Sequence, residues 1–279
     1  MKINWFPGHM KKTIDELADK IKLADVVLYV LDSRAPKSTL NPKFDKIIGS
    51  KPIIFVLNKS DFVSEENLKS FANKLIDENI RFVILNSTKP NAYKEIINKT
   101  KELMIKKLER NKAKGINIPL RLIVIGVPNV GKSTLINNFA GSNKAEVGNK
   151  PGVTKQTKWV KVDGNIELLD TPGTLWPNLD DEVVARHLGY IGSIKDEVLV
   201  LTDLCYELIK ELAPKYPKNF KDRYNVDVIN KEPIEIYDEI CKNRGFVMKN
   251  NEIYYERGAK AILDDLRKGK LGKIVLDDV

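Results

Sequence analysis

A glycine-bounded loop between an apolar run and a helical pattern constrains the fold of this 279-residue chain more than any other feature. Residues 126–133 read Gly-Val-Pro-Asn-Val-Gly-Lys-Ser and match the phosphate-binding pattern G-x-x-x-x-G-K-S/T. The apolar run at 120–125 predicts a strand before the loop, and residues 134–139 predict a helix after it. This order predicts an α/β domain that binds a nucleoside phosphate. A plain glycine turn with a solvated lysine is the alternative.

The residues of this loop have distinct predicted roles. Its glycines allow a tight turn, so that successive backbone N–H groups face the phosphate oxygens. Lys132 would reach the β- and γ-phosphates, and the Ser133 hydroxyl would bind Mg²⁺. The predicted phosphate-binding residues are Asn129, Val130, Gly131, Lys132, Ser133 and Thr134.

Two more apolar runs precede the loop, at 26–31 and 52–57, and a third strand is predicted at 81–85. The first two runs are continuous rather than alternating, which predicts strands buried on both faces, as in a parallel sheet. We therefore expect a P-loop α/β domain over residues 1–177, with a mostly parallel sheet and helices on both faces, and an all-α domain over 178–279. The other predicted elements include helices at about 10–23, 64–76 and 92–111, and hairpin strands at 157–162 and 166–169.

Polar loops follow two of these predicted strands. Asn58, Lys59, Ser60 and Asp61 fit the N-K-x-D signature. The Asp61 carboxylate could accept hydrogen bonds from the ring N–H and the amine of guanine, whereas adenine offers no such donor pair. Asn86 and Ser87 stand where a second base-contacting loop would fall. A polar loop without a ligand is the alternative for both segments.

A D-x-x-G pattern follows the last predicted strand, at residues 170–173. Asp170 would hold Mg²⁺ through water, and the Gly173 N–H would contact the γ-phosphate. Thr154, in the preceding loop, is the candidate for the second hydroxyl on Mg²⁺, with other threonines nearby as alternatives. Together with the P-loop and N-K-x-D, this pattern predicts a GTP-binding domain.

The order of the motifs is unusual. The base loops come first, then the P-loop, then D-x-x-G, whereas the usual order begins with the P-loop. The sequence thus predicts a circular permutation of the GTPase fold, which is feasible where chain ends lie close together on the surface. The segment after D-x-x-G would then lead into the helical domain and could transmit the nucleotide state to it.

The composition indicates the partners and the compartment. A formal net charge of +9 suggests a polyanionic partner, with RNA or DNA ahead of a membrane surface, although a lysine-rich composition alone is the alternative. Two cysteines without metal-ligand spacing suggest reduced thiols. No signal-peptide pattern and no membrane-length apolar stretch are found in the sequence, so we expect a cytoplasmic protein.

With this order of motifs, the chain resembles the ribosome biogenesis GTPase A family. The resemblance covers essentially the whole chain, and the residues that carry it are 5–10, 31–36, 126–133, 170–173 and 257–264. It implies a bacterial cytoplasmic GTPase that assists late assembly of the large (50S) ribosomal subunit. It further implies hydrolysis stimulated by the ribosome, a C-terminal helical domain that contacts rRNA, and a monomer off the ribosome.

The catalytic residue is less evident than the nucleotide loops. Ras-like GTPases orient the attacking water with a glutamine after D-x-x-G, but here Thr174, Leu175 and Trp176 occupy those positions. The chain resembles GTPases with a hydrophobic substitution there. His9, in a turn before the first predicted helix, is the candidate catalytic residue, and a role at the helix start or in RNA contact is the alternative. His187 is interpreted as an ordinary helix residue.

Asn129 suggests a second cation. An asparagine at this position resembles the potassium-activated GTPases, in which its side-chain oxygen helps to bind a monovalent ion beside the phosphates. K⁺ would supply the charge stabilisation that other systems obtain from an arginine finger. A loop-capping role for Asn129 is the alternative.

Three cationic segments are candidates for RNA contact, and each is also consistent with a solvated face. Three classes of function remain open: an assembly GTPase activated by the ribosome, a metabolic nucleotide-dependent enzyme, and a nucleotide-regulated RNA-binding module with little turnover. No second catalytic pocket is evident in the sequence, which disfavours the metabolic enzyme. The cationic segments are Lys144 to Lys161, the group Lys215, Lys218, Lys221 and Arg223, and the group Arg267, Lys268, Lys270 and Lys273.

Overall fold

The computed structural model describes residues 9–74, 77–140, 159–162, 165–176 and 179–278. Within these residues, six strands form a single sheet with the order β3-β2-β1-β4-β6-β5. The strands are β1 (Val26–Asp32), β2 (Ile53–Asn58), β3 (Ile80–Ile84), β4 (Leu120–Ile125), β5 (Trp159–Val162) and β6 (Ile166–Leu169).

Helices surround the sheet and make up the rest of the described chain. They are α1 (His9–Lys22), α2 (Pro42–Ile48), α3 (Glu65–Asn73), α4 (Lys94–Leu103), α5 (Ile105–Ala113), α6 (Lys132–Ala140), α7 (Glu182–Tyr190), α8 (Leu201–Lys215), α9 (Pro217–Tyr224), α10 (Pro233–Asn243) and α11 (Tyr255–Arg267). Among the described residues, no helix is long and apolar enough to cross a membrane.

The sheet is parallel except at one edge. β1 pairs in parallel with β2 on one side and with β4 on the other, and only the edge strand β5 runs antiparallel, against β6. The five parallel strands therefore end at the same edge. From the centre of the sheet, the chain proceeds outward from β1 through β2 to β3 on one side and from β4 to β6 on the other, so the strand order switches between β1 and β4. Ligands of open α/β sheets bind in the crevice at such a switch point.

The predicted strands are confirmed to within about two residues, and so is the mostly parallel sheet. The predicted long helix at 92–111 is wrong, because two helices, α4 and α5, meet at Met104. Met104 has φ −102° and ψ 13°, outside the helical range. One turn earlier, the Thr100 hydroxyl donates to the Ile96 carbonyl at 2.8 Å, a contact that tends to bend helices. The predicted hairpin turn at 163–164 lies outside the described residues.

The continuous apolar runs bury both faces of the sheet. In β1, Val26, Leu28 and Val30 belong to a core cluster shared with the helical C-terminal part. The alternate residues Tyr29 and Leu31 belong to a second cluster beneath α1, α2 and α3. Each fully buried aliphatic side chain of this kind contributes roughly 1.5–3 kcal/mol, so the sheet provides a rigid base for its loops.

The chain returns to the sheet after the last helix. The Ile274 N–H donates to the Phe62 carbonyl at 3.0 Å, and the Leu276 N–H donates to the Arg34 carbonyl at 2.8 Å. Phe62 and Arg34 follow β2 and β1, so these contacts join residues after α11 to the edge of the sheet that carries the predicted nucleotide loops.

Candidate nucleotide-binding site

The loop from Gly126 to Gly131 has a backbone that requires glycine at both ends. Gly126 has φ +148° and Gly131 has φ +98°, conformations that side chains disfavour. A Cβ atom at Gly126 would lie 2.4 Å from the Val30 carbonyl oxygen. One at Gly131 would lie 2.2 Å from the Asn58 amide nitrogen. The turn therefore packs directly against the ends of β1 and β2.

Lys132 begins α6 and lies buried inside this loop. Its Nζ donates to the carbonyls of Gly126 and Val127 at 3.0 and 2.9 Å. Burial lowers the pKa of Lys132 to about 8, although the nearby Asp170 carboxylate opposes the shift. An ammonium group enclosed in this way is positioned to meet an anion that enters the loop.

The D-x-x-G loop lies against the P-loop. A Cβ atom on Gly173 would lie 2.8 Å from both Lys132 Nζ and the Pro128 Cα. Asp170 is buried at the end of β6, and the Thr171 hydroxyl donates to the Val124 carbonyl of β4 at 2.5 Å. The structure thus brings the two predicted phosphate loops together.

Asn58 joins three loops through one buried side chain. Its Nδ2 donates to the Val130 carbonyl at 2.8 Å, and its Oδ1 accepts from the Ser87 N–H at 2.9 Å. Asn138 of α6 adds a second link, because its Nδ2 donates to the carbonyls of Ser87 and Lys89 at 3.2 and 2.6 Å. Both predicted base loops are therefore attached to the P-loop.

The other residues of the base loops are placed as follows. Lys59 has a left-handed backbone, with φ +59°, and its Nζ donates to the Asn129 carbonyl at 2.6 Å. Ser60 and Asp61 form a single helical turn, with the Asp61 side chain exposed. Asn86 stabilises the turn in its own loop, because its side-chain oxygen accepts a hydrogen bond from the Thr88 N–H at 2.9 Å.

A buried ion pair beside Lys59 was not predicted from the sequence. Arg34 Nε and Nη2 donate to the two carboxylate oxygens of Asp32 at 2.9 and 2.7 Å, and Lys59 Nζ lies 2.9 Å from Asp32 Oδ2. Burial alone would raise the pKa of Asp32, but the charges of Arg34 and Lys59 outweigh it and hold that pKa well below its usual range. The sequence feature that could have indicated this ion pair is the presence of charged residues directly after a buried strand.

The tip of the P-loop also contacts the helical part of the chain. The Asn129 side-chain amide donates to the Gly192 carbonyl at 2.6 Å, and the Ser193 hydroxyl donates to the Pro128 carbonyl at 2.7 Å. Gly192 and Ser193 follow α7. The sequence did not indicate these two residues. Gly192 contributes a backbone carbonyl, which every residue has, and Ser193 contributes a single hydroxyl that belongs to no motif.

His187 is a helix residue, as the sequence predicts, but it also belongs to a buried charged group that the sequence did not indicate. Its buried ring lies 3.0 Å from Asp277 Oδ1 and from Ser38 Oγ through Nδ1, and 2.8 Å from Glu211 Oε1 through Nε2. Burial alone would lower the pKa of His187, but the hydrogen bonds to Asp277 and Glu211 raise it to about 9. His187 thus connects α7 and α8 to the segment after α11.

Some predicted site residues are only partly described. His9 is the first residue of α1, and its side chain lies outside the described residues, as does all of Thr154. α1 packs on β1, since Leu17 shares a core cluster with Tyr29, and only residues 23–25 separate the two elements. This connection places the start of α1 toward the edge of the sheet where the nucleotide loops lie.

The two predicted protein ligands of Mg²⁺ that the structure describes suit that ion. Ser133 lies in the first turn of α6, and Asp170 lies near Lys132 at the end of the neighbouring strand. No group of three or more His, Cys, Asp or Glu side chains that could hold a metal ion occurs in the part of the chain that the structure describes. Mg²⁺ needs no such cluster, because it binds with one or two protein ligands, substrate phosphates and water.

The two arginines of the predicted RNA-binding segments make contacts within the protein. Arg223 donates twice to Asp265, at 2.7 and 2.9 Å. Arg267 donates to the Gly189 and Tyr190 carbonyls and pairs with Asp196. Other lysines of these segments, such as Lys218, remain exposed. Residues 144–158 of the first segment lie outside the described residues.

The strand order and the converging loops define the class of circularly permuted P-loop GTPases. Residues 121–237 match the family described as 50S ribosome-binding GTPase. The GNP-bound structure of YlqF from T. maritima superposes with a TM-score of 0.63 over 96% of this chain and 100% of that one. At 24% identity, this likeness shows the fold.

Two curated relatives extend the match to the whole chain. Ribosome biogenesis GTPase A of Priestia megaterium is 38% identical over 100% of this chain and 97% of its own length. The protein of the same name from Bacillus cereus is 40% identical over 99% of this chain and 94% of its own length. The chain belongs to the ribosome biogenesis GTPase A family.

Proposed function

We propose that the protein binds GTP with Mg²⁺, hydrolyses it to GDP and phosphate, and assists assembly of the large ribosomal subunit. The observation that carries this proposal is the placement of Asn58, which holds the N-K-x-D loop and the second base loop against the P-loop. A phosphate site and a guanine-selective loop attached to each other favour GTP over other nucleotides.

The proposed roles of the site residues follow from these positions. Lys132 and the N–H groups of residues 129–134 bind the phosphates, with the Gly173 N–H at the γ-phosphate. Ser133, Thr154 and Asp170 hold Mg²⁺, which stabilises charge on the phosphate oxygens. The guanine base is bound by Asn58, Lys59, Ser60, Asp61, Asn86 and Ser87.

His9 is the proposed catalytic residue. Its backbone position toward the nucleotide edge of the sheet supports this role. Thr174, Leu175 and Trp176, which follow D-x-x-G, are buried and include no glutamine that could orient water. In the proposed step, His9 holds a water molecule that attacks the γ-phosphorus while the bond to the GDP oxygen breaks. Proton transfer from that water completes inorganic phosphate.

K⁺ is the proposed monovalent activator. In the structure, the Asn129 amide nitrogen is bonded to the Gly192 carbonyl, so the side-chain oxygen is the atom that would bind the ion. K⁺ placed there would offset developing charge between the phosphates. Turnover that is equal in K⁺ and Na⁺ would remove this part of the proposal.

The ribosomal role rests on the family and on the charge of the chain. We propose a GTPase domain over residues 1–177 and a helical domain over 178–279 that contacts rRNA, in a protein that is monomeric off the ribosome. The net charge of +9 supports a polyanionic partner. Ribosomal subunits assemble in the cytoplasm, which is therefore the proposed location.

GTP turnover with and without purified large ribosomal subunits tests the proposal. We expect slow turnover alone, stimulation by subunits, and loss of nucleotide binding in Lys132→Ala. His9→Ala should bind GTP normally and lose most of the stimulated turnover, and full stimulated turnover in this variant would exclude a catalytic His9. Subunit binding without stimulated turnover would favour the RNA-binding module, and no guanine-nucleotide binding would refute the assigned site.

A further inference from the structure

We propose that Asp32 is a positioning residue for guanine-nucleotide binding, which holds Lys59 in place through a carboxylate that Arg34 neutralises. This inference rests on the proposed function. Apart from its sheet pairing with Asn58, Asp32 reaches the predicted nucleotide loops through the bond of its carboxylate to Lys59, and it lies outside the G-x-x-x-x-G-K-S/T, D-x-x-G and N-K-x-D patterns.

The sheet register places Asp32 beside the base loop. Asp32 is the last residue of β1 and pairs with Asn58, the last residue of β2. Its carboxylate is fully buried and lies 2.9 Å from Lys59 Nζ. The same ammonium donates to the Asn129 carbonyl of the P-loop at 2.6 Å. Lys59 is therefore held at two points, one beneath it in the sheet and one on the phosphate loop.

A lysine side chain needs such contacts to hold it in one conformation. Its ammonium is a compact charge on a flexible four-carbon stem, and ordering a side chain of this length costs up to about 2 kcal/mol. The Lys59 side chain is 24% exposed, so part of it remains accessible to a bound base. Asp32 orders the side chain before the nucleotide arrives, and that part of the ordering cost is removed from binding.

Arg34 allows a buried carboxylate to exist beside an anion site. Asp32 alone would repel the phosphates, whereas the Asp32, Arg34 and Lys59 group carries a net positive charge. Arg34 is itself anchored, since its Nη1 donates to the carbonyls of Leu266 and Arg267 at 2.9 and 3.2 Å. These carbonyls end α11, where the helix dipole favours a cation. The end of α11 therefore fixes Arg34, Arg34 fixes both oxygens of Asp32, and Asp32 fixes Lys59.

A purely structural ion pair is the competing explanation, and a double-mutant cycle separates the two. The variants are Asp32→Asn, Lys59→Met and the double variant, and the readout is affinity for a fluorescent GDP analogue. If Asp32 acts through Lys59, Asp32→Asn weakens binding about tenfold in the Lys59 protein and less than about twofold in Lys59→Met. Equal losses in both backgrounds, or no loss in the first, would overturn the proposal.

Asp25→Asn is the matched control. Asp25 lies just before β1, at the opposite end of the same strand, and it also pairs with a lysine, Lys107, and accepts from a backbone N–H, that of Arg121, at 3.0 Å. Its carboxylate is mostly buried, with 19% exposure. We expect Asp25→Asn to lower stability without changing GDP affinity. A drop in GDP affinity similar to that of Asp32→Asn would show that the loss of any buried, lysine-paired carboxylate near β1 weakens binding, and would contradict a specific role for Asp32.

A second variant covers the case in which Asp32→Asn does not fold. Asp32→Asn combined with Arg34→Gln removes both charges of the Asp32–Arg34 pair, and neutral replacement of a buried pair is often tolerated. We expect this variant to fold and to show the same loss of GDP affinity, again only with Lys59 present. Failure of both variants to fold, while Asp25→Asn folds, would make the pair structural and refute positioning.

The proposed function is tested separately in the same series. Wild-type protein that does not bind the GDP analogue would refute the guanine site itself. Wild-type protein that binds it normally, with an Asp32→Asn variant that binds equally well, would refute only the positioning role.

Discussion

Two buried charged groups join the C-terminal residues to the sheet, and they differ in whether they can lose their charge. At the nucleotide edge, Arg34 connects Asp32 to the end of α11. Farther away, His187 connects Glu211 and Asp277. A guanidinium stays protonated in proteins, whereas the pKa of His187 is raised to about 9. The first group therefore keeps its charge even at alkaline pH, whereas the second loses its charge as the pH rises through about 9.

This difference separates two requirements of the fold. A group that positions a nucleotide-binding lysine has to stay constant, and a guanidinium provides that constancy. The attachment of α7 and α8 to the segment after α11 can tolerate titration, because none of the described hydrogen bonds of His187 is with a predicted nucleotide-binding residue. The following predictions test this comparison, from the largest expected effect to the smallest.

The loss of Arg34 should have the largest effect. Arg34→Met leaves Asp32 buried without its main counter-charge, and breaking one side of a buried pair costs about 3–5 kcal/mol. Unfolding in urea measures this loss. Lys218→Met removes one side of an exposed pair with Asp222 and should cost less than about 1 kcal/mol. Similar losses in the two variants would show that burial does not strengthen the Arg34 pair.

The His187 group should make stability depend on pH. The folded pKa of about 9 exceeds the ordinary value of about 6.5, so the stabilisation is complete below about pH 6.5 and is lost as pH rises through about 9. The full contribution is about 3 kcal/mol. The pKa values of Asp277 and Glu211 are lowered, so their contributions are lost only as the pH becomes acidic.

Urea unfolding between pH 6 and about 10 measures this contribution. We expect His187→Gln to be less stable than the wild type at the low end and to approach it at the high end. The comparison with the variant is needed because Lys132, whose pKa is lowered to about 8, gives the opposite slope above that pH. A difference between the two proteins that is independent of pH would contradict the charged His187.

The contact between Ser193 and the P-loop should give the smallest effect. Ser193→Ala removes the hydrogen bond to the Pro128 carbonyl, which contributes about 1 kcal/mol. We expect GDP affinity to fall about two- to fivefold if part of this energy orders the loop for binding. Ser64→Ala is the matched control, since Ser64 precedes α3 without a side-chain cap. Equal affinity in both variants would show that the loop is ordered without the helical part.

The sheet and its loops could be predicted because each depends on local patterns. Continuous apolar runs identify strands buried on both faces, and the P-loop, D-x-x-G and N-K-x-D patterns each lie within a few neighbouring residues. Parallel strands bring their carboxyl ends to one edge, so the convergence of Asn58, Lys132 and Gly173 follows from fold class and spacing together.

The long-range contacts could not be predicted in the same way. Arg34 binds carbonyls more than 230 positions away, and His187 meets Asp277 across 90 positions. Contacts with backbone carbonyls, such as that of Asn129 with Gly192, leave no trace in the identity of the accepting residue. The break at Met104 was missed for a related reason, since it reflects a side-chain hydrogen bond of Thr100 rather than a proline or glycine.

The anchoring of Arg34 by the end of α11 has a consequence for synthesis. Translation proceeds from the N-terminus, so Leu266 follows Arg34 by 232 residues, a delay of roughly 10–50 s at about 5–20 residues per second. Once Gly173 has been added, the nascent chain contains both halves of the nucleotide crevice, yet until α11 is made the arginine beneath the guanine loop still lacks its final acceptors. A polypeptide interrupted before α11 would carry every nucleotide motif without this closure.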